Sequence, residues 1–172
     1  MRIVVVAESK SGEKRVALLP DIISKLTRAG LVVAVESGAG LNAGANDKDF
    51  SSAGAEVFPS SNQSKELSGA DVVLSVQPLS AQQASSLKSG AITISFLSAS
   101  SAGDSIAALA KAGATAFSLE AVPRISRAQS MDALTSQALC AGYRAALVGA
   151  ELSPRFFPLL MTAAGTVTPA NV

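Results

Sequence analysis

The sequence predicts an α/β fold: a mostly parallel sheet of the Rossmann or flavodoxin kind with helices on both faces, followed by a long linking helix. Three observations predict it. Short runs of Val, Ile and Leu alternate with polar segments that can form helices. Most of these runs are apolar at successive positions rather than at alternate ones, as in strands that are covered on both faces. A glycine lies just before five of the runs, where it can end a preceding helix.

Six apolar runs are the predicted strands of this sheet. They are Ile3–Ala7, Val32–Val35, Ala55–Phe58, Val72–Val76, Ile92–Phe96 and Ala114–Phe117. The glycines that precede the last five runs are Gly30, Gly54, Gly69, Gly90 and Gly113. They follow one another at intervals of 15 to 24 residues, which is enough for a strand, a helix and two loops. We therefore expect each glycine to close a helix in the left-handed conformation before the next strand begins.

The helices have their own start signals. Pro20 opens a helix before the segment IISKLTRA, and Ser105 opens one before IAALAKA. From about Ser130 to Leu152 the pattern predicts one long helix, which Pro154 terminates. This helix carries two rows of small residues at four-residue spacing, which permit close packing against another helix. The rows are Ala138, Gly142 and Ala146, and Ala141, Ala145 and Gly149.

Composition excludes several classes of function. The 172 residues contain no His and a single Cys, Cys140, which excludes catalytic triads that need His, HExxH zinc sites and an internal disulfide. No metal site is expected. A net charge of +1 without a run of Lys or Arg gives no indication of nucleic-acid binding. No apolar stretch reaches the ~18 residues of a membrane span, and the first residues do not resemble a signal peptide. The chain is expected to be soluble and cytoplasmic.

The densest polar cluster follows the sixth predicted strand. Arg124 and Arg127 offer forked donors for a phosphate, carboxylate or carboxamide oxygen, and Gln129 can donate and accept at once. Asp132 is expected in the first turn of the long helix, where the helix dipole favours an acid. The carboxyl end of a parallel strand is a preferred place for a ligand. The alternative, which the residues leave open, is a solvated arginine pair and an acid that only starts the helix.

A second polar cluster, residues 8–17, follows the first predicted strand. Glu8 and Arg15 are the candidates for an internal ion pair. The remaining charges of this cluster, Lys10, Glu13 and Lys14, are expected in a solvated loop with local ion pairs. The glycine-rich segment Gly38–Gly44 follows the second strand, but its spacing is one residue longer than GxGxxG. We therefore expect it to serve packing and turns rather than a phosphate.

Several of these segments, taken together, resemble the sequence motifs of a known protein family. Three segments resemble the alanine dehydrogenase and pyridine nucleotide transhydrogenase family. They are the stretch from Glu8 to Pro20, which contains KRVA, the segment VAVESGAG at Val33–Gly40, and AGAEV at Ala53–Val57. The stretch VPRISRAQSMDALTSQALCAGYRAAL at Val122–Leu147 is more specific. It is similar to the nucleotide-contacting loop and linking helix in the N-terminal part of the alpha subunit of proton-translocating transhydrogenases.

The resemblance implies a division of the chain. Family members have two domains of dinucleotide-binding architecture, and the first is interrupted in sequence by the second, which carries the glycine-rich NAD fingerprint. On that basis residues 1–125 are expected to form the N-terminal α/β domain. Residues 126–165 are expected to form the nucleotide-contacting loop and long linking helix, and 166–172 the start of an NAD-binding domain that is missing here.

The resemblance also implies a function and a site. It implies a component that binds NAD(H) and passes hydride to NADP+ on an NADP-binding component, coupled to proton movement by membrane subunits. The implied contacts to the nicotinamide are Arg124, Gln129, Asp132 and Thr135, with Arg127 as a weaker candidate in the same motif. Gln129 and Asp132 are the expected catalytic positions, because ring orientation decides which face transfers hydride. The component is expected to be a homodimer that is peripheral to the inner membrane through its partner subunits.

Two other interpretations remain. The alanine dehydrogenase branch uses a His and a Lys for pyruvate. This sequence has no His, and SFLSASS at Ser95–Ser101 occupies the corresponding region. Ser75 stands where the Lys commonly occurs, so Arg15 is the one residue of the pyruvate-binding set that is present. An amino-acid dehydrogenase is therefore the disfavoured alternative. The other is a non-catalytic α/β interaction module whose contact surface is the long helix.

Overall fold

The structure is a computed structural model that describes residues 1–171. Within it the chain forms two compact units, one of Met1–Pro123 and one that begins at Arg124. No helix among these residues is long and apolar enough to cross a membrane.

The first unit is built on a six-stranded parallel sheet, as the sequence predicts. Its strands are β1 (Arg2–Val5), β2 (Val32–Glu36), β3 (Glu56–Phe58), β4 (Val72–Leu74), β5 (Ile92–Ser95) and β6 (Thr115–Ser118). Their order is β3-β2-β1-β4-β5-β6, and every neighbouring pair is parallel. This is the strand order of a Rossmann sheet, in which the direction of winding reverses between β1 and β4.

Helices cover both faces of the sheet. They are α1 (Pro20–Arg28), α2 (Asp47–Ser52), α3 (Gln63–Gly69), α4 (Ala81–Ser85) and α5 (Gly103–Lys111). Side chains of α1 and α2 form one apolar cluster with Ile3 and Val5 of β1. Side chains of α3, α4 and α5 form the other with Val4. Because successive residues of a strand point to opposite faces, the two clusters are the two layers of the core.

The boundaries of the six strands and the starts of α1 and α5 agree with the predicted ones to within one or two residues. Four of the five glycines before strands have a positive φ, as expected: Gly30, Gly54, Gly90 and Gly113. The prediction is wrong for Gly69, which is the last residue of α3 and has no positive φ. The next residue, Ala70, is already extended, with φ −72° and ψ 136°. The chain therefore passes directly from helix towards strand without a left-handed residue.

The glycine-rich segment Gly38–Gly44 shapes a tight turn after β2. A Cβ on Gly40 would lie 2.7 Å from the carbonyl oxygen of Ala45 and would collide with the ring of Phe50, which is fully buried. Gly38 and Gly44 have φ near +80°. Each glycine thus has a backbone or packing reason to be there.

The second unit contains a 3₁₀ helix at Ser126–Met131, the 20-residue helix α6 (Ala133–Leu152) and a hairpin of β7 (Leu160–Thr162) and β8 (Gly165–Val167). The predicted start of the long helix, about Ser130, is three residues too early, because the 3₁₀ helix occupies that stretch. The hairpin is not predicted from the sequence, since each of its strands has only three residues. Of the stretch 166–172, which is expected to start a further domain, Thr166 and Val167 lie in β8, and Val172 lies outside the described residues.

Candidate functional site

The second unit contains a cavity of about 480 Å³ beside the start of α6. Four of the five residues named from the sequence line it, Arg124, Gln129, Asp132 and Thr135, together with Ile125 and Ser126. Arg127 is exposed and is not among the lining residues. The geometry therefore groups the four residues around one space.

The backbone brings these residues together through a change of helix type. Gln129 and Asp132 are three positions apart, and residues at this spacing share a side of a 3₁₀ helix. The Asp132 amide donates to the carbonyl of Gln129 at 3.3 Å. Asp132 then leaves the helical conformation, with ψ 82°, and is the N-cap of α6 rather than a residue of its first turn. The lining side chains thus come from the two sides of one helix junction.

Asp132 and Thr135 hold each other in place. One carboxylate oxygen of Asp132 accepts the Thr135 amide at 2.9 Å and the other accepts the Thr135 hydroxyl at 2.6 Å. The Thr135 hydroxyl is the main cause that lowers the pKa of Asp132 below its ordinary value, followed by the amide bond; the positive charge of Arg124 adds to them. Asp132 is therefore a fixed anion at the helix N-terminus, and the acid does serve to start the helix, as the alternative interpretation proposes.

The other polar side chains of this region are free to bind something else. Arg124, Arg127 and Gln129 are exposed, and their side chains form no hydrogen bond or ion pair with any residue from 1 to 171. Arg124 and Gln129 line the cavity, so it offers a guanidinium fork and a primary amide beside a fixed carboxylate. Among the described residues, no group of His, Cys, Asp or Glu is arranged to hold a metal ion.

The second polar cluster has a different pairing from the predicted one. The Arg15 guanidinium donates through Nε and Nη2 to the two carboxylate oxygens of Glu13, each at 2.7 Å. The side chain of Glu13 is only 6% exposed, so the expectation that it is solvated is wrong, while the expected local ion pair is present. Glu8, the expected partner of Arg15, accepts the backbone amides of Val76 and Gln77 at 2.6 and 3.0 Å. Glu13 is thus the partner of Arg15, and Glu8 binds the backbone at the start of the loop after β4.

The Arg15 hydrogen bond is the main cause that lowers the pKa of Glu13 to about 2, from an ordinary value near 4.5. Because the folded pKa is the lower one, this carboxylate stabilises the fold above pH 4.5, and the contribution is lost as the pH falls towards 2. Glu13→Ala is expected to reduce the free energy of unfolding by about 1 kcal/mol at pH 7. Denaturant titrations of both proteins should show this difference shrinking between about pH 5 and pH 2. The exposed Glu151→Ala is the control, and an E13A deficit that stays constant over this range would contradict the assignment.

One buried acid is not singled out by the sequence pattern. Glu36, the last residue of β2, is 3% exposed. The feature of the sequence that could have drawn attention to Glu36 is its position: it directly ends the apolar run VVAVE, with no turn residue between Val35 and the acid. A strand end is where a charged residue is usually exposed, so burial cannot be read from the pattern alone.

The sequence of the chain is similar to those of two groups of enzymes. Residues 4–141 match the family model described as "Alanine dehydrogenase/PNT, N-terminal domain". The chain is 40% identical to NAD(P) transhydrogenase subunit alpha of Cereibacter sphaeroides, over 100% of this chain and 32% of the relative. It is 33% identical to alanine dehydrogenase of Mycobacterium tuberculosis, over 87% of this chain and 39% of the relative.

Solved structures give the same two groups. The crystal structure of transhydrogenase from Sinorhizobium meliloti matches with a TM-score of 0.88 and 41% identity, over 99% of this chain and 50% of that one. An L-alanine dehydrogenase structure matches with a TM-score of 0.64 and 31% identity, over 70% of this chain and 32% of that one. The chain spans between about a third and a half of the length of these relatives.

Proposed function

Because the chain belongs to the alanine dehydrogenase/PNT family through its N-terminal domain, we propose that it is part of the NAD(H)-handling component of a transhydrogenase. In this proposal hydride passes between NADH and NADP+, and the membrane subunits couple the transfer to proton translocation. The observation that carries it is the cavity at the start of α6, which is lined by a fixed carboxylate and by an arginine and an amide whose side chains form no hydrogen bond or ion pair with residues 1–171.

The residues of this cavity fit a nicotinamide. The carboxamide of the ring has an acceptor oxygen and a donor NH₂, and it needs both kinds of partner. Arg124 can donate to the oxygen, while Gln129 can serve either end. A volume of about 480 Å³ falls in the usual range for small-molecule sites, about 300–1,000 Å³.

The proposed work of these side chains is positioning. A bound nicotinamide supplies the hydride chemistry itself. Arg124 and Gln129 fix the rotation of the carboxamide, and the Asp132–Thr135 pair keeps the start of α6 in place beside it. A fixed orientation decides which face of the ring meets the acceptor. None of the four residues has to transfer a proton, which agrees with a chain that contains no His.

The first unit offers little to an alanine dehydrogenase reaction. Arg15 is the one residue that this chain shares with the pyruvate-binding set, and its Nε and Nη2 edge already donates to both oxygens of Glu13. Ser75 stands where the lysine is common; its side chain is buried and its hydroxyl donates to the Gln77 carbonyl at 2.7 Å. These contacts disfavour an alanine dehydrogenase reaction; they do not by themselves favour the transhydrogenase branch, since many transhydrogenases also have the lysine.

An assay of both reactions tests the proposal. The complete gene product that carries these residues, mixed with its NADP-binding component, is expected to reduce an NADP+ analogue with NADH and to show no oxidative deamination of alanine. The 172-residue chain alone is the control. It is expected to bind NADH weakly, because it has no GxGxxG fingerprint. Alanine oxidation by the complete protein, or sub-micromolar NADH binding by the chain alone, would overturn the proposal.

We also propose that the component is a homodimer held at the inner membrane by its partner subunits. The supporting observation is α6, in which no residue is buried within the described chain. Its large exposed apolar side chains are Leu139, Tyr143, Leu147 and Leu152. Sedimentation equilibrium of the complete component tests the homodimer. We expect the mass of a dimer, and a mass that stays monomeric at all concentrations would contradict the proposal.

A further inference from the structure

The first unit has a cavity of its own, of about 330 Å³, at the carboxyl edge of the sheet. It is lined by residues just after β1, the end of β2, the first turn of α3, and α4 with the serines that flank it. In open parallel sheets, ligands bind outside the carboxyl ends of the strands where the winding reverses. Here that point lies between β1 and β4, so the cavity occupies the position that the topology favours for a ligand.

Glu36 is the feature that points to a ligand. It is only 3% exposed, and it lines the cavity. Its Oε2 accepts the Ala7 amide at 2.9 Å and the Gln63 side-chain amide at 2.8 Å. No residue from 1 to 171 donates to its Oε1, and that atom is not sealed from the cavity. Oε1 is therefore an accessible acceptor at the end of an otherwise buried side chain, and a ligand in the cavity could donate to it in place of water.

The other lining groups define the class of that ligand. None of the residues that line the cavity carries a positive charge and two are acids, Glu8 and Glu36, so the lining disfavours a phosphate or a carboxylate. Glu8, the second acid, already accepts two backbone amides. Glu36 Oε1 is therefore the one carboxylate oxygen of the lining that accepts nothing from the described residues, and spermidine is the cationic competitor in the test below. The rest of the lining consists mainly of hydroxyls and primary amides, from Ser9, Ser64, Ser80, Ser86, Gln82 and Gln83.

We propose that this cavity binds the ribose of a nucleoside that has no phosphate, with Glu36 Oε1 accepting from the vicinal hydroxyls. In sheets of this strand order, an acid after the second strand accepts from ribose hydroxyls. The device that holds the pyrophosphate in such sheets, a short glycine-rich turn between β1 and α1, is replaced by residues 6–19 with Gly12 as their only glycine. The amides can meet the polar edge of an uncharged base. The proposal is independent of the site at α6.

NMR titrations of the 172-residue chain with adenosine and with 2′-deoxyadenosine test the proposal. The quantity followed is the chemical shift of the Ala7 amide, because this amide donates to Glu36. Adenosine is expected to shift this resonance saturably below about 10 mM and to bind at least about tenfold more tightly than 2′-deoxyadenosine. Equal binding of the two nucleosides, no saturation by adenosine, or tighter binding of spermidine than of adenosine would each overturn it.

Two variants locate the site. Glu36→Gln keeps the size of the side chain and an oxygen for the Ala7 amide, and it is expected to lose at least about tenfold in adenosine affinity. Ser64→Leu fills the cavity from an exposed position of α3, so it tests the site even where E36Q does not fold. Ser68→Leu, on the same helix and outside the cavity, is the matched control. Undiminished binding by S64L would contradict the location.

Discussion

Replacing Phe50 by Ala is expected to lower the free energy of unfolding of the first unit by about 3–5 kcal/mol. Phe50 is the buried side chain of the six-residue helix α2 and is 0% exposed. It belongs to the apolar cluster on the α1 and α2 face of the sheet. Its ring also lies directly against Gly40, where no side chain could fill the space that the substitution leaves.

Denaturant unfolding, followed by circular dichroism, measures this effect. Phe117→Ala is the matched control, because Phe117 is 55% exposed on the edge strand of the sheet. It is expected to cost less than about 1 kcal/mol. Equal losses in the two variants would contradict the assignment of Phe50 to the core.

Arg124→Ala is expected to lower the rate of hydride transfer by the complete component about 100-fold under the proposed function. The guanidinium forms no hydrogen bond or ion pair with the described residues, so its removal breaks no such contact, whereas it takes away the donor that orients the carboxamide. Loss of orientation of a reacting group by about 1 Å costs about that factor. The folded state itself should therefore keep its stability.

Steady-state transfer from NADH to an NADP+ analogue, with unfolding curves alongside, separates loss of orientation from loss of folding. Arg144→Ala is the matched control, since Arg144 lies on α6, is exposed and does not line the cavity. Turnover of R124A equal to that of R144A would contradict the site. So would a loss of turnover that the denaturation curves trace to unfolding of R124A.

The elements of the sheet could be predicted from the sequence because their signals are local. Runs such as VVAVE are apolar at successive positions, and a glycine marks the end of the preceding helix. The start of α6 was less predictable. A 3₁₀ helix and an α-helix differ in their hydrogen bonds rather than in composition, and the choice at Asp132 depends on its bonds with Thr135.

Pairing of charges was not predictable, because it depends on residues that are distant in the sequence. Glu8 and Glu13 are both close enough along the chain to serve Arg15. Glu8 is taken by backbone amides that follow β4, and Glu13 receives a further hydrogen bond from the Gln77 side chain at 2.6 Å. Gln77 is 64 residues away from Glu13, so the preference arises only in the folded sheet.

The open oxygen of Glu36 has the same origin. The two donors to this carboxylate are Ala7 and Gln63, which lie 29 and 27 residues away in the sequence. A single acid at the end of an apolar run does not reveal whether donors will surround it. The sequence can therefore indicate the strand, while the cavity beside it requires the positions of three further segments.

Direct transfer of deuterium tests the proposed nicotinamide site. The complete component is mixed with its NADP-binding partner, NADP+ and NADH that is deuterated at one face of C4. The two faces are labelled in separate reactions, and the NADPH formed in each is analysed by mass spectrometry. We expect the label from one face to move to NADPH without exchange with water, and R124A to lower the rate of this transfer. Label lost to water, label transferred equally from both faces, or wild-type transfer by R124A would contradict a nicotinamide held by Arg124 and Gln129.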